Sequence, residues 1–446
     1  MTDTIFICRQ CASEFTKWSG ACQHCGQWNS LEEKKAAPNK KKSAKAQKTF
    51  SINDYQTREA ERIKTGFKEI DRVFGDGILP GSAILLTGDP GIGKSTLTLQ
   101  IAHNIAQKKK VLIISGEESV DQISNRAHRL SLKSSQLKLL SSNSSAVAIA
   151  TALKEKPDLL ILDSLQMIFD PTAHHNSGCI AQLKNTTETF VTFAKENTIP
   201  VIMIGHVTKE GEVAGPRFLE HLVDVVLNLE GERFKNYRIL RSFKNRFGAT
   251  DEIGVLEMTE MGLRDVPNPS MNFVSHHSSS VIGSAVAIAN EGSRSFLVEI
   301  QALTTKTNFG YPKRTAQGIP LNKLHIISAV LAKHARLKID DHDIYLNVVG
   351  GFKTQEPAID LAIALAILSS RLNLPLLHHM AVCGEIGLSG ELRKVSQMKK
   401  RIKEAEKLGI KKIFTPVLGE KIKSNVEIIE FETLSEVISQ GLSLKS

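Results

Sequence analysis

Residues 84–96 read Ile-Leu-Leu-Thr-Gly-Asp-Pro-Gly-Ile-Gly-Lys-Ser-Thr, and this stretch decides the fold. Gly88, Asp89, Pro90, Gly91, Ile92, Gly93, Lys94 and Ser95 fit the pattern GxxxxGK[ST], with Thr96 directly after them. The apolar run Ile84 to Thr87 predicts a strand feeding the loop, and Ser95 to Gln107 predicts a helix leaving it. Glycines let successive backbone amides close around phosphate groups, and the helix N-terminus favours their negative charge. Lys94 then reaches the β and γ oxygens, and the Ser95 hydroxyl is placed to bind magnesium. The ligands implied are ATP or ADP with Mg2+.

A magnesium site of this kind needs a carboxylate as well. Leu159 to Asp163 is an apolar run ending in an acid, which predicts a strand whose last residue holds the metal through water. Hydrolysis further needs a group that orients and deprotonates water. Val111 to Ser115 predicts a strand that delivers Glu117 and Glu118 just past its C-terminal end, the edge at which open parallel sheets bind ligands. Glu117 is the candidate base and Glu118 the second choice. His206, Thr208 and Lys209 follow the apolar run Val201 to Gly205 and could sense the γ phosphate or touch nucleic acid. These runs, together with Val223 to Leu229, alternate with helical stretches and predict a parallel sheet covered on both faces.

The rest of the chain is organised around that core. Its 446 residues are too many for one ordinary domain, so two or three are expected. No apolar run approaches the ~18 residues of a membrane span, and the N-terminus lacks a secretion signal. A soluble, cytoplasmic protein without a membrane partner is therefore expected. The formal charge of +10 suits a polyanionic partner.

Cys8, Cys11, Cys22 and Cys25 form two CxxC pairs, while Cys179 and Cys383 stand alone. Two such turns supply the tetrahedral four-sulfur shell that zinc prefers, and a redox CxxC would need a βαβ context absent here. Residues 1–30 therefore read as a zinc module. Residues 31–49 read as a basic linker, because lysines 34, 35, 40, 41, 42, 45 and 48 come with almost nothing to bury. The core extends over 50–265, and the Pro and Asn residues of Val266 to Ser270 mark a linker, 266–275. A second α/β region occupies 276–446.

Over nearly its whole length the sequence resembles the bacterial RadA (Sms) family of RecA-related DNA repair and recombination proteins. The resemblance rests on the four-cysteine module, GDPGIGKST, SGEES at 115–119, LDSLQ at 162–166, GHVTKEGEVAGPRFLEH at 205–221 and KNRFG at 244–248. It implies a RecA-like P-loop core and a DNA-dependent ATPase and helicase or translocase on single-stranded and branched DNA. It also implies a homo-oligomeric ring, a hexamer, promoting branch migration alongside RecA recombinase. Lys244 and Arg246 would then act across a subunit interface or on DNA, and segments 170–178 and 207–216 would face DNA. Met167 stands where the family carries threonine, and His174, His175 and Asn176 occupy a variable loop; the paired histidines lack the carboxylates of a metal site.

Residues 314–416 resemble the proteolytic domain of the Lon family, through Asn347 to Gly351, Glu356 to Asp360 and Gly384 to Gly390. In active members a serine follows the proline and a lysine activates it. Here Ala358 takes the serine position, and Ser389 and Ser396 do not follow the proline. Lys399 aligns roughly with the lysine, but Lys399, Lys400 and Arg401 together read more simply as a basic surface patch. The region is expected to be a non-proteolytic platform for assembly and DNA binding. The rival readings are an ATP-dependent Lon-type protease and a nucleotide-gated scaffold.

Overall fold

The computed structural model describes residues 4–35 apart from 12 and 16, then 61–169, 180–205, 218–231 and 236–441 apart from 251, 268, 271–273, 275–280, 293, 308–309, 352 and 378. The chain divides into two compact units, with the main break between Asp265 and Val266.

At the N-terminus, β1 (Thr4–Cys8) pairs antiparallel with β2 (Glu14–Phe15) and β3 (Leu31–Lys35) in the order β2-β1-β3. The Cys8 amide donates to Ser13 O at 3.0 Å, and the Gly26 amide to Cys22 O at 2.8 Å, so each CxxC sits in its own tight turn.

The larger sheet is built from α1 (Lys68–Phe74), β4 (Ala83–Gly88), α2 (Lys94–Ile105), β5 (Val111–Ser115), α3 (Val120–Arg129), β6 (Leu137–Ser141), α4 (Ser145–Glu155), β7 (Leu159–Asp163), α5 (Ile180–Asn197), β8 (Val201–Ile204), α6 (Phe218–Leu222), β9 (Val225–Glu230), β10 (Tyr237–Asn245), β11 (Ile253–Thr259) and β12 (Gly262–Asp265). Strand order is β12-β11-β10-β9-β4-β8-β7-β5-β6. Residues alternate between faces as a pleat requires. Ile84, Leu86, Ile113 and Ile161 join one buried cluster with residues of α1 and α2. Their neighbours Ala83, Leu85, Leu112, Ile114 and Leu160 join another with residues of α4 and α5. Local signals set the helix ends. Ser119 caps α3 by accepting from the Gln122 amide while the Gln122 side chain returns to the Ser119 amide, and Gly75, at φ 79°, ends α1.

The six strands from β9 to β6 are parallel, as the alternating runs predict. The sheet as a whole is mixed, however, because β10 pairs antiparallel with β9, and β11 with β12. Only Glu260 and Met261 separate β11 from β12, a link that suits a hairpin and is far too short for a parallel crossover.

The second unit contains β13 (Ser284–Glu291), β14 (Arg294–Lys306), β15 (Arg314–Gln317), α7 (Leu321–His334), β16 (His342–Val348), α8 (Asp360–Leu372), β17 (Met380–Val382), β18 (Glu385–Ile386), β19 (Leu392–Arg393), α9 (Met398–Lys407), β20 (Lys412–Pro416), β21 (Glu427–Phe431) and α10 (Leu434–Gly441). Seven strands form one sheet, β15-β16-β14-β13-β17-β20-β21. Every residue of α8 from Asp360 to Ser369 is buried, which its nearly uninterrupted apolar sequence allows.

Two expectations change here. Arg401 is not part of a surface patch; it is fully buried, bonded to Glu356 and donating from Nη1 to Ile288 O at 2.6 Å. Lys399 does not face the serine position either, since it lies in solvent and pairs with Glu420 at 2.9 Å. The helical phase explains both. Met398, Arg401, Ile402 and Ala405 share the inward face of α9, which leaves 399 and 400 outside.

Ala358 itself is fully buried, two residues from the Arg401-bonded Glu356. The other nearby cation, Lys323, is held by Asp360 at 2.5 Å. Ala358→Ser is accordingly expected to show no cleavage of a fluorogenic unfolded substrate, because an arginine stays protonated and cannot deprotonate a hydroxyl. Cleavage by that variant above the wild-type background would refute this reading.

Candidate functional site

The nucleotide site begins with a backbone requirement. Gly88 and Gly93 have φ of 145° and 115°, and a Cβ would lie 2.4 Å from Leu229 O at the first and 2.7 Å from Met258 Cε at the second. Only glycine fits at either position. The loop between them, Asp89 to Gly91, is exposed, and α2 starts directly at Lys94 with Gly93 as its N-cap. Ser95 and Thr96 are half-buried in the first turn of the same helix.

Lys94 is buried, yet its ammonium meets only backbone carbonyls: Gly88 O at 2.7 Å and Asp89 O at 3.0 Å. Burial pushes its pKa down, against the pull of Asp163, Asp89 and Glu117. Asp163, at the end of β7, is pushed the other way. Burial raises its pKa most, a hydrogen bond from Ser95 lowers it, and the nearby carboxylates of Glu117 and Glu118 raise it further. One ammonium and four carboxylates, those of Asp89, Glu117, Glu118 and Asp163, thus converge at the C-terminal ends of β4, β5 and β7. A polyphosphate and a hard divalent cation complete that charge pattern, and the oxygen donors of Ser95 and Asp163 suit magnesium.

The two glutamates separate. Glu118 is ion-paired to Arg126 on α3. Glu117 is exposed, and its Oε1 accepts from the Ser164 hydroxyl directly after β7. Arg126 and Ser164 are neighbours of these acids that the sequence pattern missed, and Arg238 is a neighbour of the phosphate loop that it also missed. Arg238 is buried on β10 and donates from Nε to Ile92 O in the phosphate loop at 3.0 Å, across 146 positions of sequence.

Lys244 and Arg246 lie at the opposite edge of the sheet. Lys244 Nζ donates to Glu220 O at 2.6 Å and Val223 O at 2.8 Å, closing the end of α6. Arg246 Nη1 reaches Asp224 Oδ1 at 3.2 Å, and Asp224 Oδ2 in turn accepts from the Ala83 amide at 3.1 Å, where β4 begins. The strand from Ala83 to Gly88 spans about 17 Å, so neither cation meets its own chain's phosphate loop. His206, Thr208, Lys209, and the segments 170–178 and 207–216 lie outside the described residues, as do His174, His175 and Asn176.

The four N-terminal thiols converge as well. Cys8 Sγ lies 3.6 Å from Cys25 Sγ, Cys11 Sγ lies 3.5 Å from Cys22 Sγ, and all four lie within 4.8 Å of one another. A zinc tetrahedron with Zn–S bonds of about 2.3 Å has edges of about 3.8 Å, which these separations bracket. The His24 and Cys25 amides point at Cys22 Sγ, as in a metal knuckle. The Gln27 amide lowers the pKa of Cys25, but partial desolvation and the crowded sulfurs of Cys22, Cys11 and Cys8 push the thiol up to about 12. Against partial desolvation, hydrogen bonds hold the Cys8 and Cys22 thiols below the usual range, and a dication at the centre would offset the crowding of sulfurs around Cys25.

Purified protein is therefore expected to carry about one zinc per chain by plasma mass spectrometry. Cys11→Ser should lose the metal and expose residues 4–35 to protease, since the binding energy is folding energy for so small a module. A metal-free ribbon that still resists protease would contradict this.

Known proteins are similar to this chain over nearly its whole length. The chain is 42% identical over 448 residues to DNA repair protein RadA of Listeria monocytogenes, covering 98% of both chains. It is 40% identical to the Escherichia coli RadA, covering 97% of both, and 42% identical to that of Bacillus subtilis, covering 99% of both. The chain belongs to the DNA repair protein RadA family.

Family models divide it in the same way. Residues 6–33 match a rubredoxin metal-binding domain, 49–212 an AAA domain, and 317–418 the ChlI subunit of Mg-chelatase. Among solved structures, the RadB recombinase overlaps 46% of this chain at 25% identity with a TM-score of 0.37, too loose a likeness to carry an argument. A RadA-family chain thus combines a four-cysteine cluster suited to zinc, a RecA-like nucleotide-binding core and a C-terminal Lon-like α/β domain. No helix among the described residues is long and apolar enough to cross a membrane.

Proposed function

We propose that the chain is a DNA-dependent ATPase that moves along single-stranded DNA and drives branch migration of recombination intermediates beside a RecA recombinase. Lys94 and the loop amides hold the β and γ phosphates, and Ser95 and Asp163 hold magnesium, which when bound neutralises charge on the phosphates. Glu117 orients the attacking water and accepts its proton, with its carboxylate fixed by the Ser164 hydroxyl.

The observation that carries the reading is the separation of Lys244 and Arg246 from their own phosphate loop by the length of β4. Cations so placed can stabilise a transferring phosphoryl group only in another copy of the chain, which supports a closed ring such as a hexamer.

The test measures phosphate release with and without single-stranded DNA, then unwinding of a forked duplex. Wild type is expected to be stimulated by DNA, and Arg246→Ala to bind nucleotide but lose about 10³-fold or more in turnover. Unstimulated wild-type turnover would remove the motor assignment.

A further inference from the structure

The chain has two tryptophans in 446 residues, and both are exposed on the small zinc ribbon: Trp18 at 61% and Trp28 at 75%. Burying an indole is among the largest apolar gains open to a module of this size, so leaving both outside forgoes stability. Trp28 also lies against the residues that follow Trp18. Trp28 bridges Ala21, the Asn29 amide donates to Gly20 O at 2.8 Å, and the Trp28 ring passes within 3.5 Å of where a Gly20 side chain would begin. Trp18 thus stands two residues before the glycine that the Trp28 ring approaches.

We propose that Trp18 and Trp28 form a base-stacking platform for single-stranded nucleic acid, a contact point separate from the ring's central machinery. The inference rests on the DNA-binding reading above. Charge selects this occupant over an apolar protein surface. Lys17 beside the first indole in sequence is exposed, Lys34 and Lys35 end β3, and the sequence after the ribbon carries five more lysines and no acid from 36 to 49. Indole faces accept any base, and neighbouring ammonium groups draw in the phosphates, the combination used by proteins that hold single strands without sequence preference.

Because the full chain has no other tryptophan, its intrinsic indole emission reports on this edge alone. Titration with an oligothymidylate is expected to quench the emission with the same midpoint as the anisotropy of a labelled copy. Trp18→Ala and Trp28→Ala should each weaken binding about tenfold, and the Phe variants much less. Zinc content of about one per chain shows that a variant ribbon is folded. If the oligonucleotide binds while emission and the alanine variants' affinities stay unchanged, the platform is refuted and the motor reading stands. Emission that responds only to an added recombinase also refutes it, and absence of any oligonucleotide binding removes both readings.

Discussion

Glu117→Gln is expected to lower ATP turnover by about 10²–10⁴-fold while leaving nucleotide affinity near that of wild type. The amide keeps the side chain's shape but cannot take the proton of an attacking water. Glu118→Gln should be far milder, because that carboxylate is already committed to Arg126. Lys94→Ala should fail earlier, at binding, since it removes the one ammonium buried against the phosphate loop. Turnover by phosphate release and affinity by a fluorescent ATP analogue separate the two defects. Wild-type turnover in Glu117→Gln together with a dead Glu118→Gln would transfer the role to Glu118.

Arg401→Ala is expected to destabilise the C-terminal unit by about 3–5 kcal/mol, the range seen when one member of a buried ion pair is removed. Glu356 would be left with its Oε1 charge unmatched, while its Oε2 still accepts from the Asn290 amide at 2.5 Å. Arg401 also donates from Nε to Ser396 O at 2.9 Å and from Nη1 to Ile288 O, so the buried Ile288 carbonyl loses its donor too. Urea denaturation of the full chain reads the effect as a lowered midpoint of that unit's transition. Combining Glu356→Gln with Arg401→Met should cost much less than the two separate losses added together. A single-variant loss below about 1 kcal/mol would show that the pair contributes nothing to stability.

What the sequence discloses and what it hides follow from range. The phosphate loop, the terminal Asp163 and the thiol spacing are local patterns whose chemistry dictates their spacing, and the structure brings each set together. Arg238 was illegible because its partner, Ile92, lies 146 positions away and only strand pairing joins them. Ser164 likewise serves Glu117 only because β5 and β7 are neighbours, with Ser115 opposite Asp163. The inward turn of Arg401 was legible in principle. Met398, Ile402 and Ala405 set a helical stripe that includes position 401, but a triple of basic residues suggests a surface unless that phase is read first.

Asp224 is 3% exposed and has two cations within reach, Arg246 at 3.2 Å and Lys195 at 3.9 Å. If the proposed ring draws Arg246 toward a neighbouring copy, it strips the nearer counter-ion from an acid that also accepts from the first amide of β4. That acid must then fall back on Lys195, or loosen its hold on the root of the strand whose tip cradles the phosphates. In the ring proposed above, engagement of one copy's guanidinium would be felt at the root of its own β4, and a single carboxylate would link the sites of adjoining copies.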